Sequence, residues 1–151
     1  MELFEIEVEL ACSQQEVFDY LIRPDNIKLI SPPDVGLFFF NAPDVLEMGS
    51  QMDFRVRAYG LIREASHKVT VFESPGRFTD EQISGPLQAW THEHVIETLG
   101  PNRSRVIDRI EFLPPKGVAG LVMNKNRIRE NLEDGFDYRH GKLEEILGKG
   151  V

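Results

Sequence analysis

From Val118 to Leu147 the chain contains no proline and reads as one long helix. At 100° per residue, Leu121, Ile128, Leu132, Phe136, Leu143 and Ile146 fall on one side of it. Gly135 lies near that stripe, as though another element approached closely there. Most of what precedes this run reads as strands with one apolar face. A sheet of that kind must bury that face, and the terminal helix is the only element large enough to cover it.

The strands are read from period-two alternation. In residues 2–10, Phe4, Ile6, Val8 and Leu10 oppose Glu5, Glu7 and Glu9. Further strands are expected at 37–41, 51–59, 61–74, 77–84, 89–99 and 106–112, separated by Gly and Pro turns. In the third of these, His67 shares a face with Val69 and Val71. Arg55, Arg57 and Arg63 read as a solvated basic patch on the sheet exterior. Between the first two strands, Ser13 and Glu16 form a capping-box pattern. Val17, Phe18 and Leu21 give that helix an apolar side, and Pro24 ends it. A second short helix follows from Asp25, its expected cap, to Ile30. The expected class is α+β, a curved antiparallel sheet of about seven strands wrapped around the C-terminal helix. Two short helices follow the first strand. A bent sheet gripping one helix leaves space between them, and that space is a pocket.

Charge and length narrow the function. The 151 residues fit a single domain, 1–151, and their formal net charge of −8 disfavours nucleic acid and anionic membranes as partners. The single cysteine, Cys12, excludes an intrachain disulfide and fits a reducing compartment. The opening alternation does not read as a secretion signal. No apolar run approaches the roughly 20 residues of a membrane span. A cytoplasmic location is therefore expected. A homodimer stays open, since dimers are common.

Polar residues stand in otherwise inward stripes. Trp90, His92, His94 and Ile96 share one face, and this face holds the only Trp and two of the four His. Asp108 lies among Val106, Ile110 and Phe112 on the neighbouring strand. Two His and one carboxylate are a recognised metal set. A hydrogen-bonded polar cluster is the preferred reading, and neither metal nor cofactor is expected. Arg139 falls at the centre of the helical stripe, in line with Leu121, Leu132 and Leu143. A guanidinium there needs Asp108, Asp80 or a ligand anion. Asp80 and Gln82 share a face with Phe78 and enter the pocket if it does. Trp90 is either core packing or a wall for a flat ligand. No nucleophile elbow and no phosphate-binding glycine loop is present.

Several of these residues carry a resemblance. They are Phe78-Thr79-Asp80-Glu81-Gln82, Gly85-Pro86 followed by Trp90, His92 and His94, then Asp108, and Phe136-Asp137-Tyr138-Arg139-His140. Together with the element order, they make the whole chain resemble the START-like (SRPBCC) superfamily, whose architecture is the helix-grip fold. Within it the chain looks like bacterial ligand-binding members related to polyketide cyclases and carbon-monoxide-dehydrogenase-subunit-G-like proteins. Those members often carry Phe at the position of Leu87. The resemblance implies a cavity that binds or carries a small hydrophobic or aromatic molecule. Trp90, His92, His94, Asp108, Arg139, Gln82 and Asp80 would contact the ligand. The alternative it implies is an enzyme of the polyketide cyclase/dehydratase type. There His92 or His94 would be the acid or base, oriented by Asp108.

Overall fold

The structure is a computed structural model and describes residues 1–150. Strand β1 (Glu2–Leu10) leads into helices α1 (Gln14–Leu21) and α2 (Pro24–Leu29) and a 3-10 turn at Pro33–Val35. Six strands follow: β2 (Phe38–Asn41), β3 (Gln51–Ala58), β4 (Leu61–Glu73), β5 (Arg77–Ser84), β6 (Ala89–Gly100) and β7 (Arg103–Leu113). Helices α3 (Ala119–Val122) and α4 (Lys125–Leu147) close the chain.

All seven strands form one antiparallel sheet in the order β1-β7-β6-β5-β4-β3-β2. The first and last strands are therefore neighbours, and every other contact is a sequential hairpin. One apolar cluster lies under α1, where Val17, Phe18 and Leu21 meet Phe78, Ile96 and Leu143. A second lies at the start of α4, where Ile128, Leu132 and Phe136 pack on Phe4, Ile110 and Phe112. On the outer face Glu5, Arg109, Glu93, Arg77 and Glu73 form a chain of ion pairs across the strands. Its charges are mostly wet, so each pair contributes little to stability.

Four local expectations change. Asp25 is not the cap of α2: Arg23 holds the cap position and Pro24 the first helical one. Proline suits that position because its missing N–H needs no partner there.

The terminal helix is not continuous. Asn124 interrupts it, with Oδ1 accepting from Arg127 N–H at 3.0 Å. Met123 turns inward at the break. Leu121, now on the separate α3, is 76% exposed, and Ile146 is 47% exposed. The buried stripe of α4 is instead Ile128, Leu132, Phe136, His140 and Leu143.

Strand β4 carries an irregularity between Val69 and Val71. The alternation slips there, so Phe72 rather than Val71 packs on Phe18. Arg63 also leaves the exterior patch, since period two aligns it with Ala65 and His67. Its Nε is buried without a hydrogen-bond partner among the described residues.

Candidate functional site

The site begins on β6, where alternation sends Trp90, His92 and His94 to the concave face. Register then supplies the carboxylates. His92 lies opposite Asp80 on β5, and His94 lies opposite Asp108 on β7. The two aspartates flank the imidazole pair diagonally. From further away, β4 brings His67 to Asp80 and α4 brings His140 to Asp108.

All four histidines of the chain thus meet two buried carboxylates. His67 Nδ1–H donates to Asp80 Oδ1 at 2.9 Å, and His94 Nε2–H to Asp80 Oδ2 at 2.8 Å. His92 Nε2–H donates to Asp108 Oδ1 and His140 Nε2–H to Asp108 Oδ2, both at 2.7 Å. His94 Nδ1 lies 3.6 Å from Asp108 Oδ1, which joins the two halves into one network. The rings are stacked as well: His92 on His94 at 3.6 Å between centroids, and His94 on Phe78 at 4.0 Å.

Burial opposes ionisation of both carboxyls. The hydrogen bonds from His67 and His94 outweigh it at Asp80 and hold that group far below the usual carboxylate range. His140 and His92 do the same at Asp108. At His92 burial is the largest effect, and the adjoining His94 adds to it. Together they push His92 down to about 4, against the pull of Asp108. His92 is therefore neutral near pH 7. With its Nε2–H given to Asp108, its Nδ1 carries the bare lone pair.

His92 and His94 sit in the wall of a cavity of about 470 Å³ between the sheet, α2 and α4. The other walls are largely apolar, with Leu46, Met52, Phe54, Leu132 and Phe136 among them. Trp90, His67, Asp80 and Arg139 also line it. The Arg139 guanidinium lies 4.7 Å from the centre of the Phe136 ring. It has no ion-pair partner among the described residues. Burial lowers its proton affinity, while Asp108 and Asp80 act on it only through space. These two expected partners are engaged by histidines on both oxygens. A Cβ at Gly135 would meet nothing within 4 Å, so this glycine leaves open space and does not serve close packing.

Of the residues singled out from sequence, Trp90, His92, His94, Asp80 and Arg139 line this cavity, and Asp108 stands behind the imidazoles. Gln82 does not join them. Its Nε2–H donates to the Leu87 carbonyl at 2.7 Å, and it lines a smaller cavity beyond Trp90. His67 and His140 were missing from the expected site. Their signals were present: His67 alternates with Val69 on β4, and His140 lies four residues after Phe136 on α4. Asp80, His92 and His94 place three ligand-type atoms within 4.8 Å of one another. The geometry does not suit a chelate, because nearly parallel stacked rings aim their in-plane lone pairs alongside each other and not at one point.

Sheet order, two short helices and a gripped terminal helix define a START-like helix-grip fold, and solved structures agree. A START superfamily protein from Mycobacterium smegmatis aligns with a TM-score of 0.70 at 15% identity, covering 95% of this chain and 98% of that one. The Zhui aromatase/cyclase from Streptomyces sp. R1128 aligns at 0.69 and 18% identity over 99% of both chains. A protein from Thermus thermophilus aligns at 0.73 and 11% identity, over 95% of this chain and 98% of that one. At such identities the likeness is one of fold. No protein-family model matches the sequence, and no curated protein matches it.

Proposed function

We propose that the protein binds or carries a small hydrophobic or aromatic molecule in the cavity between sheet and α4. One observation carries this reading: a cavity with apolar walls holds a guanidinium, Arg139, that no carboxylate among the described residues pairs. A volume of about 470 Å³ falls in the usual range for small-molecule sites. The apolar walls supply affinity, Trp90 supplies a flat face, and Arg139 takes an anionic end. His67, Asp80, His94 and Asp108 hold the polar wall rigid, and His92 offers an acceptor to the ligand. The acidic composition and single cysteine support carriage in the cytoplasm.

Trp90 is the only tryptophan and lines this cavity, so its fluorescence reports on a ligand bound there. Titration with 2-naphthoate should quench it, and Arg139→Gln should weaken binding about 10- to 100-fold, the worth of one charge-assisted hydrogen bond. An unchanged Trp90 signal at millimolar 2-naphthoate refutes the reading.

A second reading is favoured by the bare Nδ1 of His92. A neutral imidazole held by a buried carboxylate is the arrangement of a general base. The resemblance to an aromatase/cyclase suggests proton abstraction from a ketide-like substrate, with Arg139 stabilising the enolate. Turnover lost in His92→Gln with naphthoate binding retained distinguishes this reading from plain carriage.

A further inference from the structure

The cavity does not end at Trp90. On the far side of the indole lies a second, smaller cavity of about 230 Å³. Phe54, Val56, His67, Trp90, Asn131 and Leu132 line both spaces. These six side chains are a shared partition. The two chambers differ in chemistry. The larger holds His92, His94, Asp80 and Arg139. The smaller is walled by Ala58, Ala65, Leu87, Met123 and Ile128, and little of the surface facing it is polar. Gln82 is already committed to the Leu87 carbonyl, and Arg63 also lines the space, partly exposed and with its Nε buried without a partner among the described residues.

The second chamber is built by features that packing alone does not require. The break before α4 is what turns Met123 inward. The Gln82 bond fixes the loop that carries Leu87 over it. Tyr59 lines it from a backbone with φ of 54°, an uncommon conformation for a bulky side chain, in the two-residue turn with Gly60. The Nε1–H of Trp90 is buried in the partition without a partner among the described residues.

We propose that the two chambers form one bipartite site for an elongated amphipathic ligand. Its anionic ring occupies the larger chamber at Arg139. An apolar tail passes the Trp90 partition into the smaller one. This rests on the binding reading above and adds the ligand's shape and chemical class: an aryl anion bearing an alkyl-like extension.

The test is calorimetric titration with benzoate and with 4-ethyl-, 4-butyl- and 4-hexylbenzoate. Affinity should rise by up to about fourfold for each buried methylene and then level off as the second chamber fills. Ala65→Leu and Ala58→Leu each add bulk to that chamber alone, and two variants are used in case one does not fold. In either, the hexyl-to-ethyl affinity ratio should collapse towards one. Arg139→Gln should weaken all members of the series together, whereas Arg63→Gln should not weaken benzoate, whose ring does not reach the second chamber. A flat series in the native protein, or an undiminished ratio in the folded variants, overturns the bipartite site while leaving ring binding intact. Dependence on Arg63 and not Arg139 also overturns it, since the anion would then sit at the wrong end. Failure of every benzoate to bind refutes the underlying reading as well.

Discussion

At the scale of single residues, the site is a matter of protonation. His92 is held at about 4, mainly by burial, whereas an unfolded histidine titrates near 6.5. Between those values the unfolded chain binds a proton that the folded protein refuses. The contribution of His92 is therefore full above about pH 6.5 and is lost as pH falls towards 4. The depressed aspartates act in the next window. Asp80 and Asp108 contribute fully above the ordinary carboxylate range near 3.8, and that contribution fades as pH falls below it. Both effects have the same sign, so stability should decline from pH 6.5 to 4 and keep declining below. The His92 part is on the order of 3 kcal/mol. Urea unfolding at pH 7, 5.5 and 4.5 checks it, and His92→Phe, which keeps a ring on His94, should flatten this upper window. A native curve level from pH 7 to 4.5 contradicts the assignment.

At the scale of elements, the boundary of α4 decides what the helix shows the cavity. A helix begun at Val118 with Leu121 on its stripe points Arg139 at the centre of the buried face. Started at Lys125, the stripe runs through 128, 132, 136 and 140, which puts His140 on Asp108 and leaves Arg139 beside it at the cavity. Asn124 makes the difference through one capping bond. Asn124→Ala should lower stability by about 1 kcal/mol in chemical denaturation. It should also loosen Met123, read as faster backbone hydrogen exchange over residues 119–127. The same element explains what could be read in the sequence. Trp90, His92, His94 and Asp108 were legible because strand alternation is local. His67 was harder, since its partner Asp80 is set by β4–β5 pairing next to an irregularity. Arg139 lines the cavity without either aspartate as an ion-pair partner, because histidines from three elements hold both carboxylates, and nothing local in the sequence signals that.

At the scale of the molecule, sheet and helix hold each other across a space, not a filled core. Solid packing is confined to the clusters under α1 and at the start of α4. A ligand seated between them touches strands and helix at once, so it binds the folded form alone and must raise stability by mass action. At a hundredfold excess over its dissociation constant, 2-naphthoate should add about 2.7 kcal/mol. For a chain of this size that is a rise of about 5–10 °C in melting temperature. Where the stabilisation falls separates the cavity from the outer surface. A molecule in the cavity should slow hydrogen exchange in β6 and in the middle of α4 together, because Trp90 and Phe136 face it from opposite walls. One adsorbed on the exposed Phe38 and Phe40 of edge strand β2 should protect only that edge. Arg139→Gln should remove most of the melting shift in the first case and none of it in the second. Calorimetry and exchange on the same pair of proteins therefore decide whether the space gripped by the sheet is where the ligand goes.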